Sequence, residues 1–412
     1  MSDSLILLRS AQMQRFRRAL DTSMWSGPLL WVALATFCVN FGQGLFRGAS
    51  TNYFIDVVGL TGSQVLWLQG LREVPGLVLM FIAALLVRLP LTYRTAGAAV
   101  LMGVGYALYA TVGSFTGLVA MAVIASLGFH IWVPLHNALS LGLVSKERSG
   151  RVMGAMSSVR GLAGIAGVGV IALLSGVLSD MPLEFYFIMG GAVVAAAAFF
   201  VLRIPRTTGA PTSAEPRLLL KRRYWLYYVL IFFEGARTQV FGAFGTLILV
   251  QYFSLEVWQI SLLLLISSVV NMALAPALGY ALDHFGEKMT LSIGYLLLAL
   301  AFVGYATLSS ALLLSGLLIA INLLITLSMG LSTYVNRIAP AEELMPTLSA
   351  GVSVNHITSV GMSLLAGSLL PIVGYQALCW GAAAIILASV PFAMAMETPY
   401  LAKTRAAGAV AE

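Results

Sequence analysis

Six charged residues stand inside long apolar runs: Arg47, Arg72, Glu73, Arg160, Glu234 and Arg237. A charge at the centre of a bilayer costs at least about 2.5–3.5 kcal/mol, so each of them needs a partner or a water-filled cavity. Glu234 and Arg237 are three residues apart and share one helix face, where they can pair directly. Arg47 and the Arg72-Glu73 pair are expected at one depth, with either Arg47 or Arg72 neutralising Glu73 and the other left free. Arg160 has no acid within its own apolar run. Four arginines against two glutamates leave two positive charges over. Arginine offers a planar fork that fits carboxylate or phosphate, so these charges suit an anionic solute. Asn40, Gln239, Asn355 and Trp132 are expected beside Arg47, Arg72, Arg160 and Arg237 as solute contacts. Glu73, Glu234 and His356 are the groups that can carry a coupling proton, since carboxylates and imidazole change charge reversibly. The competing expectation is that the charges are structural pairs holding helices together.

Other chemistries lack support. His130 and His136 are six apart and point to different faces of a helix, so they form no metal pair, and no metal-ligand cluster is read elsewhere. Walker-type glycine loops, H-E-x-x-H helices and nucleophile triads are also missing, so neither an enzyme nor a cofactor is expected. Cys38 and Cys379 both lie in apolar runs near opposite ends of the chain, with no disulfide framework around them.

The elements that position these charges follow from composition. Of 412 residues, 59% are apolar and 9% charged, against roughly 45–50% and about 25% in soluble domains. A hydrocarbon core of about 30 Å needs roughly 20 apolar residues per helix, so some 34 residues for each span and its connection allow twelve spans and no external ATPase domain. Apolar runs interrupted by turn residues place spans near 29–57, 63–87, 95–113, 116–144, 151–178 and 183–202. A second set is expected near 225–252, 257–282, 289–308, 311–336, 347–371 and 376–396. The expected divisions are a cytoplasmic segment 1–24, a six-helix bundle 25–202, a linker 203–223 with three prolines and six basic residues, a second bundle 224–397 and a tail 398–412. The first segment carries arginines and apolar residues at helical spacing, as a basic helix on the inner membrane face would.

The net charge of +7 is topological in origin. Nineteen of the 23 Lys and Arg residues fall in alternate loops and at the ends, and the other four are the intramembrane arginines. Basic loops stay cytoplasmic, so both termini are expected there, in the inner (plasma) membrane of a bacterium. The basic residues have no stacking aromatics between them, which argues against nucleic-acid binding.

The halves overlay at a constant shift of 195 residues. Phe46 then meets Phe241, Thr51 meets Thr246, Leu60 meets Leu255 and Gln64 meets Gln259, and farther on Ser158-Val159 meets Ser353-Val354. A shift of six spans is even, so the two repeats share one orientation about an axis along the membrane normal.

Between the expected eighth and ninth spans, Gly279-Tyr-Ala-Leu-Asp283-His-Phe-Gly286-Glu-Lys288 resembles the G-x-x-x-D-x-x-G-x-K/R signature of the major facilitator superfamily. The resemblance implies an all-α polytopic membrane protein with 12 transmembrane helices in two pseudo-symmetric six-helix bundles. It also implies a gating role for Gly279, Asp283, Gly286 and Lys288, as a charge latch that stabilises one of two alternating states. The first-half copy is degraded, with Arg88 opposite Asp283 and Leu91 opposite Gly286. The fifth span holds Gly154, Gly161, Gly164 and Gly167, read as a packing stripe, without the proline of the family's drug/proton antiporters. The function expected on these grounds is proton-coupled transport of a small organic anion by a monomer whose partners are solute, proton and lipid. The alternatives are proton-coupled efflux of hydrophobic or cationic drugs, and a non-transporting signalling or assembly component on the same scaffold.

Overall fold

In a computed structural model of the chain, the described residues are 27–77, 89–144, 149–178, 181–208 and 220–397. The expected N-terminal basic helix, the middle of the linker and the tail lie outside them. Every regular element among the described residues is helical.

Helix α1 spans Pro28–Asn52 and continues as a π turn to Val57. Pro28 sits at its first turn, where a missing N–H costs nothing. Helix α2, Gly62–Arg72, stops at Glu73 because Pro75 has no N–H to offer the Leu71 carbonyl. The chain tightens there through Glu73 N to Gly70 O and Gly76 N to Glu73 O, both 3.0 Å, and helix resumes over 74–77. Helices α3 (Leu91–Leu108), α4 (Phe115–Gly142), α5 (Ser149–Val177) and α6 (Leu183–Val201) complete the first half, and α7 (Trp225–Phe253) opens the second.

Val257–Thr307 is two helices, α8 and α9, that meet at Gly286. Its φ of 80° is a backbone conformation that only glycine adopts readily. Helix α10, Ala311–Ile338, passes through a 3-10 turn at Thr326–Ser328. Ala341–Met394 is likewise two helices, α11 and α12, divided at Gly374. Seven helical stretches are long and apolar enough to cross a membrane among the described residues, and two of these, of 51 and 49 residues, contain the glycine breaks. At 1.5 Å per residue each of those two is more than twice the thickness of a hydrocarbon core.

Helix α1 packs on α5 and α6, α3 on α4 and α6, and correspondingly α7 on the α11–α12 stretch and α8–α9 on α10. The halves meet where α5 faces α8 and α2 faces α11. The repeat is visible in detail. Thr61 and Gln64 form a capping box at the start of α2, and Glu256 and Gln259 form its counterpart at α8, 195 residues later. Phe46 packs within a cluster of Tyr106, Tyr109 and Phe187, and Phe241 packs against Phe302 and Tyr305. Thr51 and Thr246, related by the same shift, touch each other through their hydroxyls at 3.1 Å.

The glycines of α5 do two different jobs. A Cβ at Gly167 would stand 2.2 Å from the Phe41 carbonyl oxygen, so α1 and α5 meet backbone to backbone there. At Gly154, Gly161 and Gly164 a Cβ would meet nothing within 4 Å. The expected packing stripe is therefore confined to the Gly164–Gly167 stretch, where a Cβ at Gly44 would also stand 2.6 Å from the Gly164 carbonyl oxygen, and Gly154 and Gly161 leave space.

Candidate functional site

One end of the bundle carries the starts of α1, α3, α7 and α11, as shown by Trp31 on Phe200, Arg206 over Tyr93, Trp225 on Phe392, and Lys221 and Arg223 on Glu343. The opposite end is sealed between the halves. Ser261 donates to the Gly48 carbonyl, Asn52 to the Leu255 carbonyl, and the Trp67 indole to the Leu364 carbonyl, beside the Thr51–Thr246 contact.

On the termini side of this seal lies a cavity of about 540 Å³ between α1, α5 and α8. Asn40, Gln43 and Arg47 line it from α1, Ser157 and Arg160 from α5, and Ser268 and Asn271 from α8. Arg47 and Arg160 are exposed to its interior. Neither has an ion-pair partner among the described residues. The open positions at Gly161 and Gly164 belong to the same wall. Two guanidinium groups without an acid among the described residues thus face one space large enough for a small molecule, lined by polar side chains together with the apolar Ile165, Val168 and Met272.

The remaining arginines have acids. Arg72 Nη2 stands 3.2 Å from Glu73 Oε1, which settles the choice between Arg72 and Arg47. Arg237 pairs with Glu234, both buried, and Thr238 donates to Glu234 at 2.8 Å. The Arg237 guanidinium also lies 4.0 Å from the Tyr295 ring centroid and borders a separate apolar cavity of about 140 Å³ with Phe241, Phe302 and Leu378. Trp132 is buried against His136, and Asn355 accepts from Ser359 at 3.4 Å, next to Gly235 of α7. Of the expected solute contacts, the cavity gathers Asn40, Arg47 and Arg160, while Arg72, Arg237, Trp132 and Asn355 lie elsewhere. The side chain of Gln239 is outside the described set. Gln43, Ser157, Ser268 and Asn271 join the cavity; the first and last of these were legible only as polar residues in apolar helices.

His136 and His130 do face different ways. The His136 ring meets Thr36 Oγ1 at 2.6 Å inside the first half. His130, on the other hand, joins Glu73 and His356, with ligand-type atoms all within 4.8 Å of one another. The expectation of no metal-ligating cluster is corrected on this point, because two helices from one half and one from the other converge there.

At the Gly286 turn Asp283 does meet a cation, but it is Arg337 and not the expected Lys288. Arg337 of α10 donates to Asp283 at 3.0 Å and to the buried Glu287 at 2.8 Å, and Thr333 adds 2.9 Å to Glu287. Lys288 is exposed, and Gly279 faces open space. Glu287, between the two motif positions, was missed because a single acid in a turn reads as solvated.

Residues 32–344 match the sequence profile of the Major Facilitator Superfamily. Among solved structures, the nucleoside transporter NupG superposes with a TM-score of 0.74 at 15% identity, over 90% of this chain and 99% of that one. A POT family transporter in complex with 5-aminolevulinic acid gives 0.73 at 11%, over 88% and 94%. The human organic anion transporter MFSD10 gives 0.57 at 16%, over 89% and 98%. At such identities these likenesses establish the fold. No curated relative matches the chain. The profile match and the apolar helices make this chain an integral membrane protein, and it belongs to the major facilitator superfamily.

Proposed function

We propose that the protein is a secondary active transporter with twelve crossings that moves a small organic anion by alternating access. The observation that carries this reading is the pair Arg47 and Arg160, facing one cavity between the halves with no acid among the described residues to neutralise either. A carboxylate or phosphate ester gains charge-assisted hydrogen bonds from both, and Asn40, Gln43, Ser157, Ser268 and Asn271 supply neutral polar contacts for the rest of the solute. A cationic drug meets two like charges in the same space, which weighs against the efflux reading. Since the far end is sealed and the cavity lies on the termini side, the arrangement is that of one of the two access states, with termini on the cytoplasmic face.

Coupling to a proton belongs to the same reading, with Glu234 as its carrier. A proton on Glu234 removes the anion that Arg237 faces, and a buried unpaired guanidinium is costly. That cost ties protonation to a rearrangement around α7. The test is uptake of candidate carboxylates and phosphate esters into proteoliposomes, with and without a pH gradient. Uptake that follows the gradient and is lost in Arg47→Ala and Arg160→Ala supports the reading, whereas unchanged transport in both variants overturns the anion clamp.

A further inference from the structure

The convergence of Glu73, His130 and His356 is unused by the anion cavity and by the Glu234 pair. Glu73 stands at the break after α2, His130 on α4 and His356 on α11, so two of the three come from the first half and one from the second. Glu73 Oε1 takes Arg72, while Oε2 lies 3.7 Å from His130 Nε2 and 3.3 Å from His356 Nδ1. The rings are 5.0 Å apart between centroids and inclined at 61°.

Three observations mark this as a built site. His130 Nδ1 is 2.8 Å from the Ser126 carbonyl oxygen, which requires a proton on Nδ1 and leaves Nε2, the nitrogen that faces Glu73, as the one a metal can use. Such an outer hydrogen bond is the usual partner of a metal-bound imidazole. His356 Nδ1 is buried and, among the described residues, its nearest acceptor is Glu73 Oε2 at 3.3 Å, without the geometry of a good hydrogen bond. Gly76 keeps the centre open, since a Cβ there would stand 2.9 Å from His130 Nε2 and 3.1 Å from His356 Cε1.

Zinc bound tetrahedrally at about 2.0–2.1 Å sets neighbouring ligand atoms roughly 3.3–3.4 Å apart. The separations to Oε2 are 3.3 and 3.7 Å, and all the ligand atoms lie within 4.8 Å of one another, so side-chain rotations can bring them to that spacing. Two imidazoles and one carboxylate suit zinc and its late first-row neighbours, whereas calcium and magnesium prefer oxygen ligands. We infer that Glu73, His130 and His356 bind one divalent transition-metal ion, with the fourth position left to water. Because the ligands belong to both halves, the ion fastens α11 to α2 and α4 and favours the arrangement in which they meet.

The inference goes beyond transport and is tested by binding. Calorimetric titration of the full-length purified protein with zinc should give one ion per chain. His130→Ala and His356→Ala should each weaken it at least tenfold, and His284→Ala, at an exposed histidine stacked on Tyr280, should not. No stoichiometric binding by the unaltered protein, or affinity undiminished in the His130→Ala/His356→Ala double variant, overturns the site. If either variant misfolds, cobalt(II) added to the unaltered chain decides the question. An intense visible spectrum of four-coordinate cobalt supports the site, and only the weak spectrum of the hydrated ion refutes it.

Discussion

Arg47 and Arg237 stand in the first helices of their respective halves, yet one lines a cavity with no ion-pair partner among the described residues and the other is buried against Glu234. The difference is local. Helix α7 has an acid one turn before its arginine, and α1 has glutamine and glycine there, so an identical side chain is left open to the cavity in one half and is paired within the framework in the other.

Breaking the buried pair is the largest expected effect. Glu234→Gln leaves Arg237 without an anion and should cost about 3–5 kcal/mol of stability, read as a fall in unfolding temperature in detergent, together with loss of accumulation driven by a pH gradient. Replacing both residues, as Glu234→Leu with Arg237→Met, should restore most of the stability, because well-packed apolar groups can substitute for a buried ion pair. The cavity arginines should behave in the opposite manner. Arg47→Ala or Arg160→Ala should lower anion uptake about 10- to 150-fold, as expected when one charge-assisted hydrogen bond of about 1.5–3 kcal/mol is lost, while unfolding shifts by no more than about 0.5 kcal/mol. A large loss of stability in Arg47→Ala would erase the contrast.

The glycines of α5 sharpen it at smaller scale. Gly167→Ala pushes against the Phe41 carbonyl and should cost about 1–3 kcal/mol, whereas Gly161→Ala fills cavity space and should change solute affinity with little effect on unfolding. The smallest effect is expected outside the membrane, at Glu343. The hydrogen bond from Lys221, with those from Tyr224 and Arg223, holds its carboxyl below the ordinary value of 4.5. A depressed carboxylate contributes stability above that ordinary value and loses it as the pH falls toward the lowered one. The difference in unfolding temperature between the unaltered protein and Glu343→Gln should therefore shrink on acidification below about pH 4.5 and stay constant above it.

What could be read from sequence was what local spacing controls. The i,i+3 relation paired Glu234 with Arg237, and Gly286 marked the turn between α8 and α9. The matched glutamines of the two repeats have a specific cause, since Gln64 and Gln259 each close a capping box. Contacts between distant helices were not legible. His130 reached Glu73 and His356 because α4 and α11 turn particular faces toward α2, and hydrophobic periodicity in helices apolar all round does not say which face meets which neighbour. Arg337 replaced Lys288 in the latch for a similar reason, as it comes from α10 and lies outside the motif.

The Thr51–Thr246 hydrogen bond has a geometric meaning of its own. Residues that occupy the same place in two copies of a repeat can touch each other only on the axis that exchanges the copies. The contact is thus the isologous centre of what would be, without the linker, a homodimer. A substitution made there in a single-repeat protein would appear on both sides of its own interface, so the two threonines form a fixed reference point from which departures from twofold symmetry, such as Arg47 against its glycine-bearing counterpart at Gly242, can be measured.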